Sequence, residues 1–155
     1  MKIVIGSDHG GYELKDTLMK FLNANGYEVK DLGTHSKASC DYPLIGFEVA
    51  KAVGDGNADR GILICKTGIG MAIIANKVHG VRACACYDLD MAKSSREHND
   101  CNVAVFAASY TEPKKARDML KAFLETEHIG DRHARRVKQI NDIESKLKGR
   151  RNGKT

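Results

Sequence analysis

No apolar run in this 155-residue chain approaches the ~18 residues that a bilayer crossing takes, so no membrane span is expected. No repeat, low-complexity tract or internal linker interrupts it. Its five cysteines (Cys40, Cys65, Cys84, Cys86, Cys101) are odd in number and lack paired CxxC spacing. That argues for reduced thiols and against a disulfide framework or a zinc site. The apolar part of Met1-Lys2-Ile3-Val4-Ile5-Gly6 is too short for a signal peptide and turns at once into Ser7-Asp8-His9. A cytoplasmic protein is expected. The C-terminal charges carry no interleaved aromatics, so a nucleic-acid binder would lack its stacking surface. Neither nucleic acid nor a membrane is expected as a partner.

What is present fits one globular domain. Hydrophobic residues make up 42% and charged residues 29%, which excludes a disordered, collagenous or coiled-coil chain. Net charge is +5, but residues from Asp131 onward contribute +6 and the rest −1. A basic segment on a neutral body suggests an anionic ligand, a nucleic acid or a solvated tail. The tail reading suits residues 150–155, which leaves residues 1–149 as the domain. Arg132, Arg135 and Arg136 sit nearer the body and stay open.

Strand and helix patterns alternate. Strands are expected over 2–6, 27–32, 61–65, 81–86 and 103–108, the third apolar throughout, as when both sheet faces are covered. Leu14, Leu18, Phe21 and Leu22 mark an amphipathic helix closed by Gly26. Pro43 opens a second helix, and further helices are expected over 71–77, 88–98, from Pro113, and from about Arg132. Five strands separated by helices imply right-handed crossovers and a three-layer α/β/α domain around a five-stranded parallel, Rossmann-like sheet. Cys84 and Cys86 share a face in such a strand and are expected in the core. Tyr12, Tyr42 and Tyr87 are expected to pack, and His35, His79 and His128 to lie on the surface.

In such sheets the ligand crevice lies beyond the carboxyl ends of the strands. Three segments fall there: Asp8-His9, Cys65 to Gly70, and Tyr87-Asp88. Asp8-His9 serves equally as a turn with a helix cap. Gly68 and Gly70 let backbone approach a ligand, and the helix start behind them directs free N–H groups at a phosphate or a developing oxyanion. The spacing is not a P-loop. As a dinucleotide fingerprint it offers Gly68-x-Gly70 with Asp88 beyond, but Ile73 stands where a third small residue belongs. A thiol at the mouth of a helix N-terminus has its thiolate favoured, so Cys65 is a candidate base or a buried structural residue.

Six segments in order resemble type B ribose-5-phosphate isomerase, the family shared with allose- and galactose-6-phosphate isomerases. They are Gly6-Ser7-Asp8-His9-Gly10-Gly11, Asp41-Tyr42-Pro43, Gly61 to Gly70, Ala75-Asn76-Lys77, Ser95 to Asp100, and Arg132-His133-x-x-Arg136-Val137. The resemblance implies interconversion of ribose 5-phosphate and ribulose 5-phosphate through an enediolate, in the pentose phosphate pathway, without metal or organic cofactor. It implies that Cys65 moves the proton between C2 and C1 and that the amides of residues 66–70, including Gly68, Ile69 and Gly70, hold the enediolate oxygen. It further implies that His98 opens the furanose ring with Asp8 and Thr67 assisting, that Asn99 holds the sugar, and that His9, Arg132 and Arg136 receive the phosphate. Hexose 6-phosphates are the alternative substrates, and an inactive phosphosugar-binding paralogue is the alternative function.

Two positions depart from the family pattern. Lys66 stands where the turn has glycine, and Ser109 where an arginine follows strand five. Lys66 either supports the thiolate and enediolate or crowds the sugar. Chain direction adds one expectation. Asp8 and Cys65 belong to the carboxyl edge of the sheet, whereas a helix of about eleven residues runs ~16 Å back and delivers His98 and Asn99 to the amino edge. A homodimer with composite sites, or a tetramer built from it, is therefore expected, helped by the apolar stripe Val137, Ile140, Ile143 and Leu147.

Overall fold

The computed structural model describes residues 1–152, and side chains through residue 149. Five strands, β1 (Lys2–Ser7), β2 (Glu28–Asp31), β3 (Arg60–Cys65), β4 (Ala83–Ala85) and β5 (Val103–Ala107), pair in parallel in the order β2-β1-β3-β5-β4. From β1 the chain steps outward to β2 and then returns past β1 to β3. The order therefore reverses between β1 and β3, and the crevice expected at such a reversal opens between the ends of those two strands. β1 and β3 register with Ser7 opposite Ile64, so Asp8 and Cys65 leave the sheet side by side.

Helices α1 (Tyr12–Ala24), α4 (Leu89–Asn99) and α5 (Pro113–Glu125) cover one face. Leu14, Leu18 and Leu22 of α1 and Met119, Leu120 and Phe123 of α5 bury against Ile3, Ile5, Ile62 and Phe106. Helices α2 (Tyr42–Gly54) and α3 (Ile69–Ala75) cover the other, where Val49, Val53 and Met71 meet Val4, Leu63 and Val105. With helices on both sides, β3 and β5 have almost no exposed residue, which is why both read as unbroken apolar runs. Fully burying a Leu, Ile or Phe side chain stabilises by roughly 1.5–3 kcal/mol, so these two clusters dominate the fold energy.

Helix α6 (Asp131–Asn152) closes the chain beside α4. Val137 is buried, but Ile140, Ile143 and Leu147 remain about half exposed. The helix runs into the segment read as a solvated tail, whose last three residues lie outside the described residues. No helix among the described residues is long and apolar enough to cross a membrane.

Local boundaries differ most from the sequence expectation in two places. α3 begins two residues early, at Ile69, because Gly68 at φ +76° turns the chain straight into the helix. β4 has three residues rather than six because it lies at the sheet edge with β5 alone to pair with, and Asn102 Oδ1 takes the Arg82 N–H before the ladder begins. Cys86 is buried and Cys84 half-buried on the same face, their sulfurs 3.7 Å apart.

Candidate active site

At the carboxyl edge the chain is shaped by backbone. Asp8 ends β1, its N–H donates to the Ile64 carbonyl at 3.3 Å, and its Oδ1 accepts from Gly11 N–H at 3.0 Å. The cap reading and the site reading of Asp8 are thus compatible: one oxygen closes the His9–Gly11 turn while the residue lines the cleft beside Cys65. Gly11 has no room for a side chain. A Cβ there would meet the Ile64 carbonyl oxygen at 2.7 Å.

Cys65 is buried at the end of β3, and its Sγ accepts from Gly68 N–H at 3.1 Å. Gly68 reaches this position only through its left-handed conformation, which glycine adopts without steric cost. An amide aimed at sulfur stabilises negative charge there, as a thiolate base needs. Ile69 N–H is engaged with Thr67 Oγ1 at 3.3 Å. Two of the amides expected to hold an enediolate are therefore already occupied.

Asp8, Tyr42, Cys65, Lys66, Thr67, Ile69, Gly70 and Ile73 line one cleft of about 380 Å³. Tyr42 and Tyr87 are not the packed residues expected from sequence. Tyr42, 37% exposed, lies across Gly70, where an added Cβ would meet its Cζ at 2.5 Å. That contact forms only when α2 and α3 pack, and the sole sequence signal for it was the Asp41-Tyr42-Pro43 segment. Tyr87 is 41% exposed and donates to the Thr67 carbonyl at 3.4 Å. Asp88, the candidate ribose ligand, caps α4 by accepting from Met91 N–H at 2.7 Å. Nδ1 of His9 sits 3.2 Å from the Cys40 amide nitrogen. Ser109 lies next to this cleft rather than in it. It lines a neighbouring one of about 490 Å³ with Gly10 and Thr111, and its N–H donates to the Lys66 carbonyl at 3.0 Å.

At the amino edge side chains do the positioning. His98 near the end of α4 stacks on His133 of α6, centroids 4.3 Å apart and planes 9° from parallel. Arg132 Nε donates to His133 Nε2 at 3.3 Å. Burial first, then the neighbouring His98, Arg132, Arg136 and His128, hold the His133 imidazole below its ordinary pKa. The motif Arg132-His133-x-x-Arg136-Val137 contains His133 but indicates no role for it. Buried Arg96 donates to Asp100 Oδ1 at 2.7 Å and to the Cys101 carbonyl. Arg82 donates to Asp100 Oδ2 at 2.9 Å and to the Asn99 carbonyl at 3.0 Å. His128, expected on the surface, is half-buried and braces α4 through Nδ1 and the Glu97 carbonyl at 2.8 Å. Sequence hid this because no motif marks it; the loop after α5 folds back to put it there.

The predicted residues thus fall into two groups. Asp8, His9, Cys65, Lys66, Thr67, Gly68, Ile69 and Gly70 converge at the carboxyl edge with Ser109 alongside. His98, Asn99, Arg132 and Arg136 lie at the amino edge, and no described cavity joins the two. A larger cavity, about 710 Å³, is a groove between β4, α4 and α6 that holds Asn99 but not Cys65. In the smaller cleft a thiol, a carboxylate and a glycine turn converge.

Comparison with known proteins points to one family. A family model described as ribose/galactose isomerase matches residues 3–140. Ribose-5-phosphate isomerase B of Escherichia coli (strain K12) is 42% identical over 145 residues, covering 94% of this chain and 97% of that protein. The structure of ribose-5-phosphate isomerase B from Clostridium thermocellum superposes with a TM-score of 0.93 at 50% identity, covering 95% of this chain and 99% of that one. The enzyme from Mycoplasma genitalium, solved with bound ribulose-5-phosphate, superposes with a TM-score of 0.90 at 35% identity, covering 93% and 96%.

Proposed function

The chain belongs to the ribose/galactose isomerase family, and on that premise we propose that it interconverts ribose 5-phosphate and ribulose 5-phosphate through an enediolate. The observation that carries this reading is the thiol of Cys65, held by Gly68 N–H at the strand reversal beside Asp8. In this reading the Cys65 thiolate takes the C2 proton of the open-chain aldose. The electron pair moves through the C1–C2 bond onto the carbonyl oxygen, giving the enediolate. The C2 hydroxyl proton passes to O1, and the same thiol returns its proton to C1, which leaves the C2 ketone of the ketose. Asp8 and Thr67, which line the same cleft, would hold sugar hydroxyls. The reaction needs a base and a donor for one oxygen, and the cleft offers candidates for both. Incubating the protein with ribose 5-phosphate and following ribulose 5-phosphate tests it. An arm with allose 6-phosphate reads the hexose alternative, and silence in both arms is the result expected of a non-catalytic paralogue.

Ring opening is assigned to His98, and phosphate contacts to Arg132 and Arg136, of a second subunit in a homodimer with two composite sites. What supports this is the separation of the two groups across the sheet. Exposed Ile69 and Ile73 at the cleft, and Ile140, Ile143 and Leu147 on α6, supply apolar surface for association. A pair of such dimers would make the tetramer. Mixing inactive Cys65→Ala and His98→Ala proteins restores activity if subunits exchange, because one site per mixed dimer keeps both groups. No recovery in exchanged dimers, or a fully active monomer by light scattering, counts against it. Five unpaired thiols suit a cytoplasmic setting.

A further inference from the structure

The lysines near the carboxyl edge differ in what they hold. Lys15 is buried and donates to both oxygens of Asp31 at 2.6 Å and to the Thr34 carbonyl. Lys37 pairs with Glu13. Lys66 makes no side-chain hydrogen bond or ion pair among the described residues, although it lines the cleft with Asp8 and Cys65. Its stem has a defined course. A Cβ on Gly10 would stand 2.5 Å from Lys66 Cγ and 3.2 Å from Cε, so the side chain lies across the Gly10 backbone, over the His9–Gly11 turn. On the other side of Gly10 opens the cleft that holds Ser109, whose amide is bonded to the Lys66 carbonyl.

Resting on the isomerase reading, we infer that Lys66 is the substrate-binding residue that supplies this subunit's own cation for the phosphate, held over Gly10 between His9 and Ser109. A cation serving the enediolate would turn over Cys65. The Lys66 stem instead carries Cγ and Cε over Gly10. In the substrate the phosphate ester oxygen stands three carbon–carbon bonds and one carbon–oxygen bond beyond C2, so a cation that meets the phosphate belongs away from the base. An ammonium with no internal partner keeps its full charge for an incoming dianion. Gly10 is what allows the arrangement, because any side chain there would displace the lysine stem. Positions 66 and 109, the two departures from the family pattern, adjoin through one hydrogen bond; the chain carries its cation at 66 and a neutral hydroxyl at 109.

Kinetics with ribose 5-phosphate, together with calorimetric titration of inorganic phosphate, test this on Lys66→Gln, Lys66→Arg and Lys66→Gln/Ser109→Arg proteins. The expected result is a KM for Lys66→Gln raised on the order of tenfold or more with kcat within about threefold, and phosphate affinity weakened by a similar factor. Lys66→Arg keeps both near wild type, and Ser109→Arg restores KM in the Lys66→Gln background. An active Lys66→Gln protein with unchanged KM and phosphate affinity overturns the inference, as does lost kcat at unchanged KM. If the wild type turns over neither sugar phosphate yet binds phosphate in a Lys66-dependent way, the isomerase reading falls and the anion role of Lys66 stands.

Discussion

The two edges of the sheet hold their functional groups by different means. At the carboxyl edge the main chain does it: Gly68 turns its amide onto Cys65, Gly11 packs against the Ile64 carbonyl, and Gly70 makes room for Tyr42. At the amino edge a charged lattice does it, with Asp100 gripped by Arg82 and Arg96 and His98 stacked on His133. A backbone-built cradle fixes directions for N–H donors and tolerates little change in residue size. A side-chain lattice places long groups that can reach outward. The first arrangement suits a base and an oxyanion; the second suits groups presented to another subunit.

That contrast can be broken at four points. Cys65→Ala should cost on the order of 10²-fold or more in kcat with the fold kept, as read by turnover beside circular dichroism. Wild-type turnover would remove Cys65 from the chemistry. Gly11→Ala should destabilise by about 1–3 kcal/mol in urea unfolding and lower activity too, since the clash is with backbone that cannot swing aside. Tolerance of alanine would mean the cradle is softer than its contacts indicate. Asp100→Asn keeps the shape and suits the left-handed backbone at φ +45°, but leaves buried Arg96 without its counter-charge. With Asp100 itself about one-third exposed, the loss should be about 2 kcal/mol, milder than for a fully buried pair. It should appear in thermal melts.

The smallest effect concerns pH. The folded pKa of His133 lies below the ordinary 6.5, so the unfolded chain binds more protons between the two values. Its contribution to stability is complete above the unfolded value and drains away as pH falls through the folded one. The melting temperature of the wild type should therefore decline from pH 7 toward pH 5.5 more steeply than that of His133→Gln. Parallel curves would mean that His133 is not held neutral by burial.

Sequence made the carboxyl edge legible because its information is local. β1 and β3 announce themselves as apolar runs, the glycines follow directly, and parallel topology forces Asp8 and Cys65 together. The same topology, with α4 eleven residues long, was enough to send His98 to the other edge. Contacts between distant segments stayed hidden. Tyr42 over Gly70 depends on how α2 seats against α3, and His128 under Glu97 depends on a loop closing back onto α4. Neither has a period or spacing to read. The course of Lys66 belongs with these, since the sequence placed a cation beside Cys65 while the space over Gly10 decided where its stem would go.

The outermost strands limit how copies of this protein can meet. β2 has four residues and exposes Glu28 and Lys30, while β4 has three. Neither offers the long, flat, apolar row of free amides on which a second sheet could grow, so strand addition between copies is disfavoured at both ends. Copies that associate would therefore join through helix surfaces, leaving each five-stranded sheet closed to its neighbour's, and the same bluntness guards the chain against fibrous stacking.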